Sequence, residues 1–243
     1  MLKFIESCHS IANLIYPLKC ISCHRFTPSS EKNFQLCPRC QRTVQKNTPP
    51  FCQKCSRPLE SPESLICKIC QYAAFHFDHS WGASVYNDAM KRLLHLFKYG
   101  HKTALRHFFL NLMEGFCTTY RVPLNEFDCL LPVPLHKARL RERGFNQSQI
   151  LTQMLSEKYF IPSLNNHLLR IRPTQNQALL SPKQRWTNVK AAFKIRHSHV
   201  FNKKNILVVD DLYTTGATTS EIARLLKDAG ARRVEVFTLA IAK

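Results

Sequence analysis

Eight of the eleven cysteines fall into four CxxC pairs, Cys20 and Cys23, Cys37 and Cys40, Cys52 and Cys55, Cys67 and Cys70, and this constrains the first third of the chain more than any other feature. A CxxC turn brings two thiolates to one side of a tight knuckle, and two facing knuckles complete a tetrahedral metal site. The intervals of 13 residues between the first two pairs and 11 between the last two are each long enough for a short hairpin. Two four-cysteine zinc sites in sequential pairing are the simplest expectation; spacing alone leaves a cross-braced pairing open. A disulfide or redox framework fits less well, because reduced thiols are the rule in the cytoplasm and a thioredoxin-type motif would be single. The loops between the pairs, "HRFTPSSEKNFQL" and "SRPLESPESLI", are poor in apolar residues, so metal binding has to supply the folding energy. All-cysteine sites leave no open position for a substrate and read as structural. Cys8, Cys117 and Cys129 lie outside the pattern, and the last two sit in apolar surroundings suited to small core residues.

At 243 residues the chain accommodates one fair-sized core and a small module. Its 35 Lys and Arg against 16 Asp and Glu, a formal net charge of +19, point to polyanionic partners bound in a salt-dependent way. The excess is uneven. Residues 1–76 carry 10 basic and 4 acidic side chains, whereas residues 137–204 carry 14 basic and only 2 acidic ones. No apolar run approaches the roughly 18 residues of a membrane span. The start "MLKFIESCHSIANLIY" lacks a signal peptide's uninterrupted apolar core, which leads us to expect a cytoplasmic protein. Apolar residues at helical spacing predict an amphipathic helix over 1–18, packing on the neighbouring module in preference to anchoring in a membrane. A zinc module over 19–76 and an α/β domain over 77–243 complete the expected organisation.

From Trp81 onward the pattern changes. "SWGASVYN" reads as a strand, "DAMKRLLHLFKYG" and "TALRHFFLNLMEGF" have helical spacing, and "FDCLLPVP" is an apolar run closed by prolines. "FNQSQILTQMLSEKYF" predicts another helix ending before Pro162. "NILVVDD" suits a strand buried on both faces, "TTSEIARLLKDAG" a helix, and "RRVEVFTLAIA" a final strand. Alternation of this kind argues for a mostly parallel sheet with helices on both faces, which binds ligands beyond the carboxyl ends of its strands.

Asp210 and Asp211 fall at such an end, with no basic residue between Asn205 and Arg224. "LYTTGATT" then runs directly into a helix, so its backbone N–H groups and the helix N-terminus form a nest for a phosphate. Gly216 permits the turn, and Thr214, Thr215 and Thr218 offer hydroxyl donors. Two carboxylates repel a phosphate but accept hydrogen bonds from a ribose diol. Phosphate and diol together suggest a ribose 5-phosphate.

"ILVVDDLYTTGAT" resembles the phosphoribosyl pyrophosphate (PRPP) motif of type I phosphoribosyltransferases. The resemblance implies that Asp210 and Asp211 hold the ribose 2′ and 3′ hydroxyls, that the stretch Thr214, Thr215, Gly216, Ala217, Thr218 wraps the 5-phosphate, and that Mg²⁺ accompanies PRPP. Ala217 stands where many members have a second glycine. A narrower resemblance covers nearly the whole chain: "LLPVPLHKARLRERGFNQSQILTQ" and "LLRIRPTQNQALLSPKQRWTNVKAAF" are similar to the ComF family, which joins an N-terminal four-cysteine, zinc-ribbon-like module to a type I phosphoribosyltransferase-like domain. That family implies a role in natural transformation, handling single-stranded DNA on the cytoplasmic side of uptake. DNA-uptake machinery proteins are then further partners, placing the chain peripherally at the inner face of the membrane.

In "HKARLRERGFNQ" the residues Lys137, Arg139, Arg141 and Arg143 suit a mobile basic loop above the phosphate site, and by the same resemblance a loop at this point faces pyrophosphate or DNA. Phe145, Trp186 and Phe193 lie among basic residues, as in a single-strand groove, although core positions suit them equally. Lys98, Tyr99 and Gly100 form a further basic turn near the site. Three functions follow from this inventory. The first is single-stranded DNA handling with a PRPP-type pocket, the second an active phosphoribosyltransferase with an unassigned acceptor, and the third a PRPP-sensing regulator of duplex DNA, for which no duplex-reading motif is visible. We favour the first.

Overall fold

The computed structural model describes residues 19–27, 36–173 and 181–242, so the helix expected over 1–18, Cys8, Thr174 and Gln177 lie outside the described residues. The described residues begin with two small ribbons. Each carries a one-turn helix that its third cysteine caps and that contains its fourth, α1 (Pro38–Arg42) and α2 (Lys68–Tyr72). Strand β1 (His79–Val85) follows, then α3 (Asp88–Tyr99), whose N-terminus is capped by the Asn87 side chain accepting from the Met90 N–H. Met90, Leu93, Leu94 and Phe97 recur at three- and four-residue steps and put one face of α3 into the core. Helix α4 (Leu105–Tyr120) buries Leu105, Phe108, Phe109, Met113 and Phe116 in the same way.

Strand β2 (Cys129–Pro132) is fully buried. After it come α5 (Lys137–Arg143) and α6 (Gln147–Tyr159), the latter capped by Asn146 and closed at Phe160, whose left-handed backbone precedes Pro162. A short antiparallel pair, β3 (Leu168–Arg170) and β4 (Phe193–Ile195), encloses α7 (Pro182–Val189). The chain ends with β5 (Asn205–Tyr213), α8 (Ala217–Asp228) and β6 (Arg233–Ile241).

The main sheet has the order β1-β6-β5-β2 and every neighbouring pair is parallel. Side chains alternate across it. Leu207 and Val209 of β5 pack with α3, α4 and Leu151 and Leu155 of α6, whereas Ile206 and Val208 pack with Ile222, Ala223 and Leu226 of α8. Each such buried aliphatic side chain contributes about 1.5–3 kcal/mol, which explains why the central strands read as continuous apolar runs. The expected mostly parallel sheet with helices on both faces is the architecture that forms. It agrees with the layering that the resemblance to type I phosphoribosyltransferases implies. The ribbons join these layers, since Cys20, Ile21 and Cys37 belong to the first cluster and Cys52, Cys55 and Cys67 to the second. Cys117 and Cys129 are core residues, and burial pushes both thiols up to about 12. Among the described residues no helix is long and apolar enough to cross a membrane.

Candidate functional site

Cys20, Cys23, Cys37 and Cys40 form one group and Cys52, Cys55, Cys67 and Cys70 the other, with the sulfurs of each group within 4.8 Å of one another. The pairing is therefore sequential, and the cross-braced alternative is not what forms. Cys23 Sγ and Cys37 Sγ lie 3.6 Å apart, and Cys55 Sγ and Cys67 Sγ 3.7 Å apart. A tetrahedral zinc with Zn–S bonds of about 2.3 Å requires sulfur separations of about 3.8 Å, so both groups fit the ion. The Cys37 N–H donates to Cys20 Sγ at 3.4 Å and the Cys67 N–H to Cys52 Sγ at 3.3 Å, the outer-sphere bonds that orient thiolate ligands.

The second site lies at the carboxyl edge of the sheet. Pro132, the last residue of β2, pairs with Val209, so Asp210 to Tyr213 of β5 extend beyond their neighbour. The connection leaving β2 runs through α6 on one face, and the connection leaving β5 runs through α8 on the other. Their divergence opens a crevice at the switch point between the two strands. A cleft of about 1100 Å³ occupies it, lined by Asp210, Asp211, Thr214 and Thr218 and by the basic side chains of Lys91, Lys98, Arg139, Arg143, Arg170 and Arg185.

The two carboxylates have different surroundings. Asp211 is buried; its Oδ1 accepts from Gln147 Nε2 at 2.9 Å, and its Oδ2 is ion-paired with Lys98 Nζ from the end of α3. Asp210 accepts at Oδ1 from Ser148 Oγ at 2.7 Å and from the Asp211 N–H at 2.9 Å. Among the described residues nothing donates to its Oδ2. Burial, reinforced by the Asp211 charge, pushes the Asp210 carboxyl up to about 7. The N-terminus of α6 supplies both Gln147 and Ser148, so the helix dipole and its first-turn side chains hold the acidic pair together.

Thr214 and Thr215 lead into Gly216, the N-cap of α8, with φ of +80°. A Cβ at Gly216 would stand 2.4 Å from Tyr213 Oη and 2.6 Å from Phe75 Cε1, so glycine is required by both conformation and space. Beyond it the first turn of α8 carries Ala217, whose N–H donates to Thr215 Oγ1 at 3.4 Å, and Thr218.

The stretch Lys137 to Arg143 corrects the sequence expectation. It is helix α5, not a mobile loop, because Lys, Ala, Arg, Leu and Glu are strong helix formers, the His136 side chain caps the start and Gly144 closes the end at φ of +80°. Its basic residues separate. Lys137 and Arg141 are exposed and Arg139 is half-buried beside Glu142, 2.8 Å away. Arg143 is buried; it donates to Gln147 Oε1 at 2.5 Å and to the Tyr99 hydroxyl at 3.0 Å, with its guanidinium over the Tyr99 ring. The aromatics also divide. Phe193 is buried beneath the Arg170 guanidinium, Phe145 is partly buried against Phe97, and Trp186 keeps 37% of its surface exposed.

Comparison with known proteins bears on this arrangement. The chain is 32% identical over 231 residues to competence protein F of Haemophilus influenzae, covering 93% of this chain and 97% of that protein. It belongs to the ComF family. The DNA utilization protein YhgH of Salmonella typhimurium is 31% identical over 218 residues, covering 87% of this chain and 92% of the relative. Competence protein ComFC of Bacillus subtilis is 29% identical over 220 residues, covering 84% of this chain and 83% of its own. The double zinc ribbon domain family matches residues 11–71, which contain both cysteine groups. Among solved structures, the allosteric regulatory enzyme of purine biosynthesis aligns over 56% of this chain and 26% of that one, with 22% identity and a TM-score of 0.36.

Several cleft residues of this ComF chain were not singled out as site residues from sequence. Gln147, Arg170 and Arg185 lie at positions that match the ComF family without a role in this site being assigned to them, whereas Ser148 falls at the start of an expected helix and Lys91 and His136 among scattered basic groups. A signal existed for Gln147 and Ser148: "FNQS" is a helix start with Asn146 as its cap, which puts both side chains in the first turn.

Proposed function

We propose that the cleft binds PRPP or a related ribose 5-phosphate with Mg²⁺, and that the protein uses it while handling single-stranded DNA on the cytoplasmic side of DNA uptake. The observation that carries the reading is the placement of Asp210 and Asp211 at the switch-point crevice, one turn of chain before the glycine-capped N-terminus of α8. Asp210 Oδ2 accepts one ribose hydroxyl, and the second hydroxyl takes the Asp211 oxygen now paired with Lys98. Lys98, released, faces the pyrophosphate. Thr214 to Thr218 wrap the 5-phosphate. The Asp210 carboxylate and threonine hydroxyls form an all-oxygen donor set that suits Mg²⁺, which supplies charge neutralisation for a bound diphosphate.

Single-stranded DNA then tracks the basic rim formed by Lys91, Lys137, Arg139 and Arg141, with Trp186 as an exposed stacking surface. The names of the competence and DNA utilization relatives support the DNA half of the reading. DNA-uptake machinery proteins are the partners this role entails.

The test is calorimetry of PRPP with Mg²⁺ against the wild type and against Asp210→Asn combined with Asp211→Asn, repeated with a single-stranded oligonucleotide present. Wild-type binding that the double variant abolishes and the oligonucleotide shifts is the expected result. Equal binding by both proteins would refute the pocket, and an oligonucleotide without effect would separate it from DNA handling.

A further inference from the structure

The two ribbons are built alike. In each, an arginine stands five residues after the first cysteine, Arg25 after Cys20 and Arg57 after Cys52. Its carbonyl accepts from the N–H of that cysteine at 2.8 Å in both cases. The residue before it has a left-handed backbone in both, His24 at φ of 59° and Ser56 at 56°. The side chains then do opposite things. Arg25 is exposed, whereas Arg57 is buried and reaches the sheet.

The Arg57 guanidinium donates through one nitrogen to the Thr214 carbonyl and through the other to the Ala242 carbonyl, each at 2.6 Å. Ala242 in turn donates its N–H to the Tyr213 carbonyl at 2.8 Å, so one planar fork ties together the ends of β5 and β6 where the phosphate loop begins. The same ribbon holds the loop's far side. Phe75, five residues after Cys70, stacks on Phe77 and fills the space facing Gly216, and the His76 N–H donates to Ser220 Oγ at 3.1 Å in the second turn of the helix. No comparable bond from the first ribbon to this loop occurs among the described residues.

We infer that the second ribbon is the scaffold of the phosphate loop, and that Arg57 is its positioning residue. Zinc held by Cys52, Cys55, Cys67 and Cys70 fixes the knuckle from which Arg57 projects, and the fork transmits that fixed geometry to Thr214. A hydrogen bond from a charged donor to a buried carbonyl is among the stronger ones in a protein, and losing two of them frees the loop's first residue. The first ribbon, with its equivalent arginine in solvent, is a matched internal control. The consequence for ligand binding rests on the proposed ribose phosphate site; the consequence for loop order does not.

The experiment compares wild type, Arg57→Ala, Arg57→Lys and Arg25→Ala, each checked for about two zinc atoms per chain. Amide hydrogen exchange is followed over residues 213–220 without ligand, and ribose 5-phosphate and PRPP with Mg²⁺ are titrated by calorimetry. Arg57→Ala is expected to keep both zinc ions, to exchange about tenfold or more faster in that segment alone, and to weaken ligand binding by a similar factor. Arg57→Lys, which keeps a charge but loses the fork, should fall between the two, and Arg25→Ala should match wild type. If Arg57→Ala does not fold, the Arg57→Lys comparison with Arg25→Ala decides. Unchanged exchange over 213–220 in the folded Arg57 variant, or equal loosening by Arg25→Ala, overturns the inference. Faster exchange in a protein whose wild type binds neither ligand would uphold the scaffold and refute the ribose phosphate reading instead.

Discussion

Lys98 Nζ and the Asp211 carboxylate form an ion pair between the last turn of α3 and the tip of β5, and both residues line the candidate cleft. Lys98 is 19% exposed and Asp211 only 4%, so the lysine lies within reach of the cleft while the carboxylate is closed in. Breaking such a pair from one side leaves a charge without compensation in a place that water does not reach.

Lys98→Met is therefore expected to cost about 3 kcal/mol of stability, read as a fall in the urea midpoint with unchanged slope. Adding Asp211→Asn removes the stranded charge and should return most of the loss. A Lys98→Met protein as stable as wild type, or a double variant no better than the single one, would show that the pair is solvated in solution.

The acidic pair also gives stability a pH dependence. Burial holds the Asp210 carboxyl at about 7, above its ordinary 3.8. Between these values the folded chain keeps a proton that the unfolded chain has released, so this group makes folding less favourable as pH rises, and its penalty is complete only above the folded value. Asp210→Asn lacks the effect. Its stability relative to wild type should therefore grow by about 1 kcal/mol from pH 6 to pH 8.5, a window that avoids loss of zinc through thiolate protonation. Parallel stability curves for the two proteins would place the Asp210 pKa outside this range.

Metal content provides an independent check on the ribbons. Chelator-free protein should contain about two zinc ions per chain, and Cys37→Ser and Cys67→Ser should each lower the count by one. Because the second cluster joins the α8 side of the core, Cys67→Ser should lower the melting temperature of the α/β core as well. A single zinc in the wild type, or one lost from both sites by either substitution, would mean that the sites are not independent.

The strand, the acidic pair and the glycine-capped loop were legible because their chemistry is local: an apolar run, two carboxylates and a turn follow one another within Ile206 to Thr218. The zinc ligands were legible for the same reason, while their pairing needed the fold. What sequence did not reveal depends on contacts between distant segments. Arg57 and Thr214 are 157 positions apart, and Gln147 and Asp211 are 64 apart. Nothing in a run of basic residues distinguishes a solvated arginine from a buried one. In helix α5 a dense run of charge coincides with strong helix propensity, and the face it presents to Tyr99 and Gln147 is decided by packing.

That division within α5 separates two effects that a uniform basic loop would merge. Arg139 keeps 42% of its side chain exposed and among the described residues pairs with Glu142 on its own helix, an arrangement that contributes little to stability. Arg139→Gln should leave the melting temperature unchanged while weakening single-stranded DNA binding across sequences and reducing the salt slope by about one. Arg143 is enclosed by Gln147 and Tyr99, so Arg143→Gln removes a buried network member, leaving Gln147 without the donor at its Oε1. A stability loss of about 2 kcal/mol is expected there, together with disturbance of the Gln147 bond to Asp211. Filter binding across a salt series, run beside thermal melts of both variants, distinguishes the roles. Equal effects of the two substitutions on DNA affinity, with neither changing stability, would restore the uniform basic segment and remove Arg143 from the framework of the site.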